Sequence, residues 1–141
     1  MIRVMNKDAP LKVFYVDPDE RDIVDADIHG EFLPSARTLI RAEHLDVGRL
    51  KGFDLWVDDN GIAKGALPYL VVDEDGEPEQ VLFGVSLAAG VDEEGNTVSC
   101  PLSQGELSKR IRFGSQVQVG RRVLFVTDSR VYNLERFSAF A

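Results

Sequence analysis

The sequence predicts a single α+β domain, mainly antiparallel β-sheet of short strands and hairpins, with two short helices at about 34–43 and 104–113. Three observations carry this. Short β-branched and aromatic runs recur along the chain, separated by Gly-, Asp- and Asn-rich turns. Only two stretches space their apolar residues three and four apart, as a helix does. The length of 141 residues, with 44% hydrophobic and 28% charged residues, suits one ordinary globular core (1–141).

Residues 12–17 (KVFYVD) form an apolar run closed by Asp17-Pro18-Asp19, the chemistry of a strand ending in a turn. Residues 22–28 (DIVDADI) alternate, with Val24, Ala26 and Ile28 on one face and Asp25 and Asp27 on the other, so the two runs read as a hairpin. Pro34 is tolerated in a first helical turn, where its missing N–H has no partner to lose, and Leu33, Ala36, Leu39, Ile40 and Glu43 follow at helical spacing. From there to residue 100 the runs DLWV (54–57), YLVV (69–72), VLFGVSLAAG (81–90) and TVSC (97–100) predict strands, the third of them continuous. Trp56 alternates with Leu55 and Val57, which puts it on the opposite face of its strand as a packing residue.

Ser103 and Glu106 stand three apart as a capping box, flanked by Leu102 and Leu107 as a staple. The predicted helix continues through Ile111, with Lys109, Arg110 and Arg112 at its C-terminal dipole and Gly114 as a left-handed stop. VQV (117–119) and VLFV (123–126) return to strand character, and VYNLERFSAFA closes the chain. Residues 115–141 are thus a basic, apolar C-terminal extension that must pack on the body or on a neighbour, because Val131, Tyr132, Leu134, Phe137 and Phe140 are too apolar for a loose end.

Three segments share one grammar: VDDNG (57–61), VDEDG (72–76) and VDEEG (91–95). Glycines 61, 76 and 95 supply the positive φ of a hairpin turn, while Asp58, Asp59, Asp73, Glu74, Asp75, Asp92, Glu93 and Glu94 keep the tips wet. Calcium would select the same oxygens, but an EF-hand needs acids at alternate positions and a glutamate at its twelfth, which none of the three provides.

The formal charge is -8 and the two ends differ: residues 1–100 hold 9 Lys/Arg against 21 Asp/Glu, a net -12, and residues 101–141 hold 7 against 3, a net +4. Such a balance argues against coating DNA or membranes, whose binding draws on Lys and Arg. The basic end either folds back on the acidic body or presents Lys109, Arg110 and Arg112 to an acidic partner. One cysteine, Cys100, admits no intramolecular disulfide, and the N-terminus has no long apolar stretch, so a reducing, cytoplasmic setting with no targeting or membrane segment is expected.

Recognisable catalytic apparatus is missing. His29, His44 and Cys100 cannot build a Cys-rich zinc site or an HExxH helix, and no phosphate loop or dinucleotide fingerprint is present. Gly84-Val85-Ser86-Leu87-Ala88 resembles a nucleophile elbow but falls inside an apolar strand, and Cys100 before Pro101 reads as a small buried hydrophobe.

FDLWVDDNGIAKGALP and VLFGVSLAAGVDEEGNTVSCPL resemble the family of small phage- and plasmid-borne proteins catalogued as domain of unknown function 3846, over about residues 12–102. The resemblance implies a mobile-element origin and an α+β fold, and brings no catalytic residues. The family's polar, arginine-bearing stretch after the proline is here Tyr69-Leu70-Val71-Val72.

The expected function is therefore a non-enzymatic accessory protein that binds another protein, more specifically an acidic inhibitor of a host defence or nucleic-acid enzyme. The expected contacts are the eight acids above with Tyr132, Phe137 and Phe140. No cofactor, metal or nucleic acid is expected. The alternatives are a structural phage protein that forms homo-oligomers through its tail, and a metal-dependent hydrolase built on the aspartate clusters.

Overall fold

A computed structural model describes residues 9–134. β1 (Leu11–Asp17) and β2 (Asp22–Ile28) form the expected hairpin, paired antiparallel from Leu11 opposite Ile28 to Asp17 opposite Asp22. On the expected face Ile28 is buried and Ala26 half-buried while Val24 stays 43% exposed, and Ile23, on the aspartate side, is buried as well. Helix α1 (Phe32–Ile40) begins two residues before Pro34 and ends three residues earlier than its spacing predicts, because Arg41 turns left-handed (φ 62°). The N–H groups of Arg41 and Ala42 both return to the Arg37 carbonyl, which closes the helix.

β3 (Leu45–Leu50), β4 (Phe53–Asp58), β7 (Ser86–Val91) and β8 (Thr97–Val98) complete the first sheet, ordered β2-β1-β7-β4-β3 with β8 also paired to β7. β5 (Pro68–Val72), β6 (Pro78–Phe83) and β9 (Ile111–Phe113) form a second sheet in the order β6-β5-β9. Every pairing is antiparallel. The apolar run 81–90 is therefore two strands in different sheets. Gly84, at φ 88°, turns the chain between β6 and β7, and a side chain there would crowd Ala66 at 3.1 Å.

Helix α2 (Gln104–Ser108) has both halves of its capping box: the Glu106 N–H donates to Ser103 Oγ and the Ser103 N–H to Glu106 Oε1. It is much shorter than predicted. The Arg110 N–H returns to the Leu107 carbonyl, and Ile111–Phe113 then run as β9 beside β5, so Arg110 and Arg112 sit on a sheet margin and Gly114 caps no helix. Burial explains the difference: Arg110 is 7% exposed, with Nε donating to the Val72 carbonyl at 2.6 Å, an ion pair to Glu79 at 2.8 Å and its guanidinium over Phe53. A buried charge holds its place only with partners like these.

β10 (Ser115–Val119), β11 (Arg122–Val126) and β12 (Val131–Asn133) make a third sheet. The molecule is layered. α1 covers one face of the first sheet through Phe32, Ala36 and Ile40 against Val13, Leu87 and Ala89, with the edge of Phe32 on Trp56 at 5.2 Å. The opposite face, with Val16, Leu55, Val57 and Ala88, packs on Tyr69, Val71, Leu82 and Leu107. Trp56 and its strand neighbours thus face opposite ways, as alternation requires. Leu70, Val72 and Val81 point the other way from the second sheet onto Phe125, Tyr132 and Leu134 of the third. β5 is covered on both sides, which is why YLVV carries no polar residue.

Candidate functional site

Two of the three acidic turns are the same object. In each, the first aspartate closes the hairpin: Asp73 N–H donates to the Glu77 carbonyl and Asp92 N–H to the Asn96 carbonyl. Its carboxylate then accepts two backbone N–H groups, from Asp75 and Glu77 at 2.9 Å each, or from Glu94 at 3.0 Å and Asn96 at 2.8 Å. Gly76 (φ 84°) and Gly95 (φ 87°) take the left-handed position. The VDDNG segment differs. Gly61 is not left-handed and lies against the Phe83 carbonyl, and the chain continues through turns to β5 instead of returning as a hairpin. There Asp58 accepts from the Asn60 N–H and pairs with Lys64 at 2.6 Å.

Asp58, Asp73 and Asp92 are thus committed to the loops that hold them, leaving Asp59, Glu74, Asp75, Glu93 and Glu94 outward and exposed. These do not pool. β4 runs antiparallel to β7, with Asp54 opposite Ala89 and Trp56 opposite Leu87, so the Asp58 turn leaves where β7 begins and the Asp92 turn where β7 ends. The six residues of β7 separate them by roughly 20 Å at about 3.3 Å per residue. Among the described residues no three His, Cys, Asp or Glu side chains are grouped to hold a metal.

Hydrogen bonding from the Asn96 backbone, with further bonds from the Asn96 side chain and the Glu94 and Gly95 backbone, holds the Asp92 carboxyl below the ordinary aspartate range. A depressed folded-state pKa contributes stability above the unfolded value of about 3.9 and loses it as pH falls through the folded value. The melting temperature of Asp92→Asn is therefore expected to lie below wild type at pH 7, with the gap closing by about pH 2 as the wild-type carboxyl protonates. A gap that stays constant over that range would contradict this role.

The apolar C-terminal residues divide. Tyr132, expected at a contact surface, is 4% exposed: its ring lies under Arg130 at 4.4 Å and its hydroxyl accepts from Arg112 Nε at 3.3 Å. Phe137 and Phe140 lie outside the described residues. The surface of the third sheet belongs to residues that the sequence did not single out. Register places Val117 opposite Leu124, Val119 opposite Arg122 and Val126 opposite Val131, all on the face turned away from Phe125 and Tyr132. Val117, Val119 and Val131 are 38%, 45% and 56% exposed. Arg121 and Arg122 stand at the tip of the β10–β11 hairpin, exposed and without an ion pair among the described residues. The alternation of SQVQV was the available signal, but only pairing shows which face is covered.

The sequence model of the family described as domain of unknown function DUF3846 matches residues 11–112. The chain belongs to the DUF3846 family. No curated protein and no solved structure matches it. The DUF3846 match takes in the first sheet, both helices, β5, β6 and most of β9, and stops before Gly114, so the third sheet is built by residues outside it.

Within the DUF3846 match the nucleophile-like residues are occupied or muted. Ser86 is fully buried, accepts from the Tyr69 hydroxyl at 2.6 Å and donates to the Gly84 carbonyl at 3.1 Å. Burial pushes the half-buried Cys100 thiol up, which keeps it protonated at neutral pH. Among the described residues the buried Trp56 Nε1 has no hydrogen-bond partner. No helix of the described residues is long and apolar enough to cross a membrane.

Proposed function

We propose that this DUF3846 protein is a non-enzymatic accessory protein of a phage or plasmid that acts in the host cytoplasm by binding another protein along the free edge and outer face of its third sheet. One observation carries the reading: among the described residues β10 is an open edge strand, exposed at every position, with no proline, lysine or bulge along it. Natural edges are guarded by Lys, Pro, bulges or inward charges. Ser115–Val119 reads SQVQV and pairs with β11 without a register break. An extended segment of a partner adds to such an edge through its backbone, while Val117 and Val119 take apolar side chains and Arg121 and Arg122 favour acidic ones.

The narrower reading, an acidic inhibitor, draws on the net -12 of residues 1–100, yet the Asp58 and Asp92 turns stand at opposite ends of the first sheet and offer no single row of carboxylates. Self-assembly is favoured by the same exposed valines and shares the same test.

Val117→Lys/Val119→Lys places two charges on the edge, at positions already exposed, so the melting temperature stays within about 2 °C of wild type. Capture of a host protein is expected to weaken at least tenfold, about 1.4 kcal/mol, while Asp75→Asn/Glu93→Gln binds like wild type. Equal capture by the valine variant, or loss in the acid variant alone, refutes the assignment. A wild-type mass above monomer in light scattering, reduced in the valine variant, would make a second copy the partner. A chain ending at Leu134 reports whether Phe137 and Phe140 take part.

A further inference from the structure

We propose that the cavity between the C-terminal end of α1 and the loop after β4 is a binding site for the phosphate group of a small phosphorylated ligand, gripped by Arg37, Arg41 and Lys64. The cavity measures roughly 620 Å³, within the range of small-ligand pockets, and Thr38, Glu43 and Asn60 also line it. Three cations converge here in a chain of formal charge -8. Lys64 is held in place, with Nζ 2.6 Å from Asp58 Oδ2 and 3.5 Å from the Arg41 carbonyl. The guanidinium groups of Arg37 and Arg41 make no hydrogen bond or ion pair among the described residues, and both side chains are exposed.

Arg41, the residue that ends α1, enters the lining. It occupies the left-handed position that ends α1, at φ 62° and ψ 49°, where glycine would sit without strain. Compensation of the helix dipole accounts for Arg37 in the last turn. Arg21 takes the same left-handed conformation in the β1–β2 turn, at φ 55°, so the conformation by itself marks no ligand; what matters at Arg41 is that it brings a second arginine into the lining beside Arg37, where planar guanidinium groups suit an oxyanion.

The ligand is a compact phosphate monoester, not a nucleic-acid backbone. The surrounding charge repels a polyanion, the lining offers no aromatic face for a base, and Glu43 and Asn60 supply acceptors suited to hydroxyls on a small organic part.

Thermal unfolding of the full chain in inorganic phosphate, against chloride of matched ionic strength, tests this directly. Phosphate at tens of millimolar is expected to raise the wild-type melting temperature by about 3 °C or more. Arg41→Gly relieves the left-handed strain, so its melting temperature without phosphate equals or exceeds wild type while its phosphate shift is lost. Arg37→Gln loses the shift as well. A wild-type shift no larger in phosphate than in chloride, or an equal shift in Arg41→Gly, overturns the site. A single-stranded oligonucleotide that displaces phosphate below phosphate's own concentration overturns the assignment to a small ligand.

Discussion

Gly114→Ala is expected to destabilise the protein by about 3 kcal/mol or more, the largest loss of any glycine-to-alanine change in the chain. A Cβ at this position would overlap the Val126 carbonyl oxygen and the Val126 carbonyl carbon, the latter at 3.0 Å, and would stand 3.0 Å from Phe125 Cε1. The first two are backbone atoms in a paired strand and cannot rotate aside. Gly114 is also the one residue between β9 and β10, where the chain passes from the second sheet to the third. The clash can be relieved only by moving β10 off β11. Urea unfolding reads the effect, and Gly105→Ala is its control: it places the same methyl inside α2 with nothing nearer than 4.0 Å, and is expected to stabilise by up to about 1 kcal/mol. A Gly114→Ala midpoint equal to wild type would show that the third sheet does not sit against β9 as described.

Phe125→Ala should cost about 3–5 kcal/mol, and the cost should fall on one part of the molecule. Phe125 is fully buried where Leu70, Val72 and Val81 of the second sheet meet Tyr132 and Leu134. Phe125 is the largest fully buried side chain that ties the third sheet to the body, with Tyr132 and Leu134 beside it and Arg112 Nε donating to the Tyr132 hydroxyl; the ion pairs add little. Arg130 reaches Glu77 at 3.4 Å and Asp128 reaches Arg21 at 4.0 Å, all with side chains at least half exposed, and such pairs contribute less than about 1 kcal/mol. Removing the phenyl ring therefore releases β10–β12 before the rest unfolds. Hydrogen exchange is expected to show amides of 115–134 losing protection while β1, β4 and β7 keep theirs, together with loss of partner binding. Uniform loss of protection would instead mean that the third sheet is part of one cooperative unit with the core.

Local chemistry was read correctly at the cap and at two of the three acidic turns, where neighbours in sequence complete the interaction, and wrongly at VDDNG, whose Gly61 is not left-handed. Ser103 and Glu106 satisfy each other across one turn, and Asp73 and Asp92 each bind backbone donors two and four residues on. Trp56 faces away from Leu55 and Val57 because strand alternation needs no partner to define it. The run 81–90 misled because hydrophobicity reports burial and not direction: β6 and β7 are both buried, yet Gly84 sends them into different sheets. The same limit applies to Arg110 and Arg112, whose helical spacing beyond Ser108 yields to pairing of β9 with β5.

The candidate surfaces were less visible than the fold. An acidic turn advertises itself in sequence, so the carboxylates were noticed first, although three of them serve their own loops. The exposed face of β10 and the cation cluster at the end of α1 join residues that nothing in the linear order connects: Arg37 and Arg41 meet Lys64 only because β4 carries the chain back past the helix. From composition and short-range pattern alone came the class of fold, the DUF3846 resemblance, two of the three acidic hairpin turns and the cap, since each depends on contacts within a few residues. Strand order, the layering of three sheets, and which valines are covered depend on contacts between distant segments, where burying one face against a partner sheet decides what the other face is free to do.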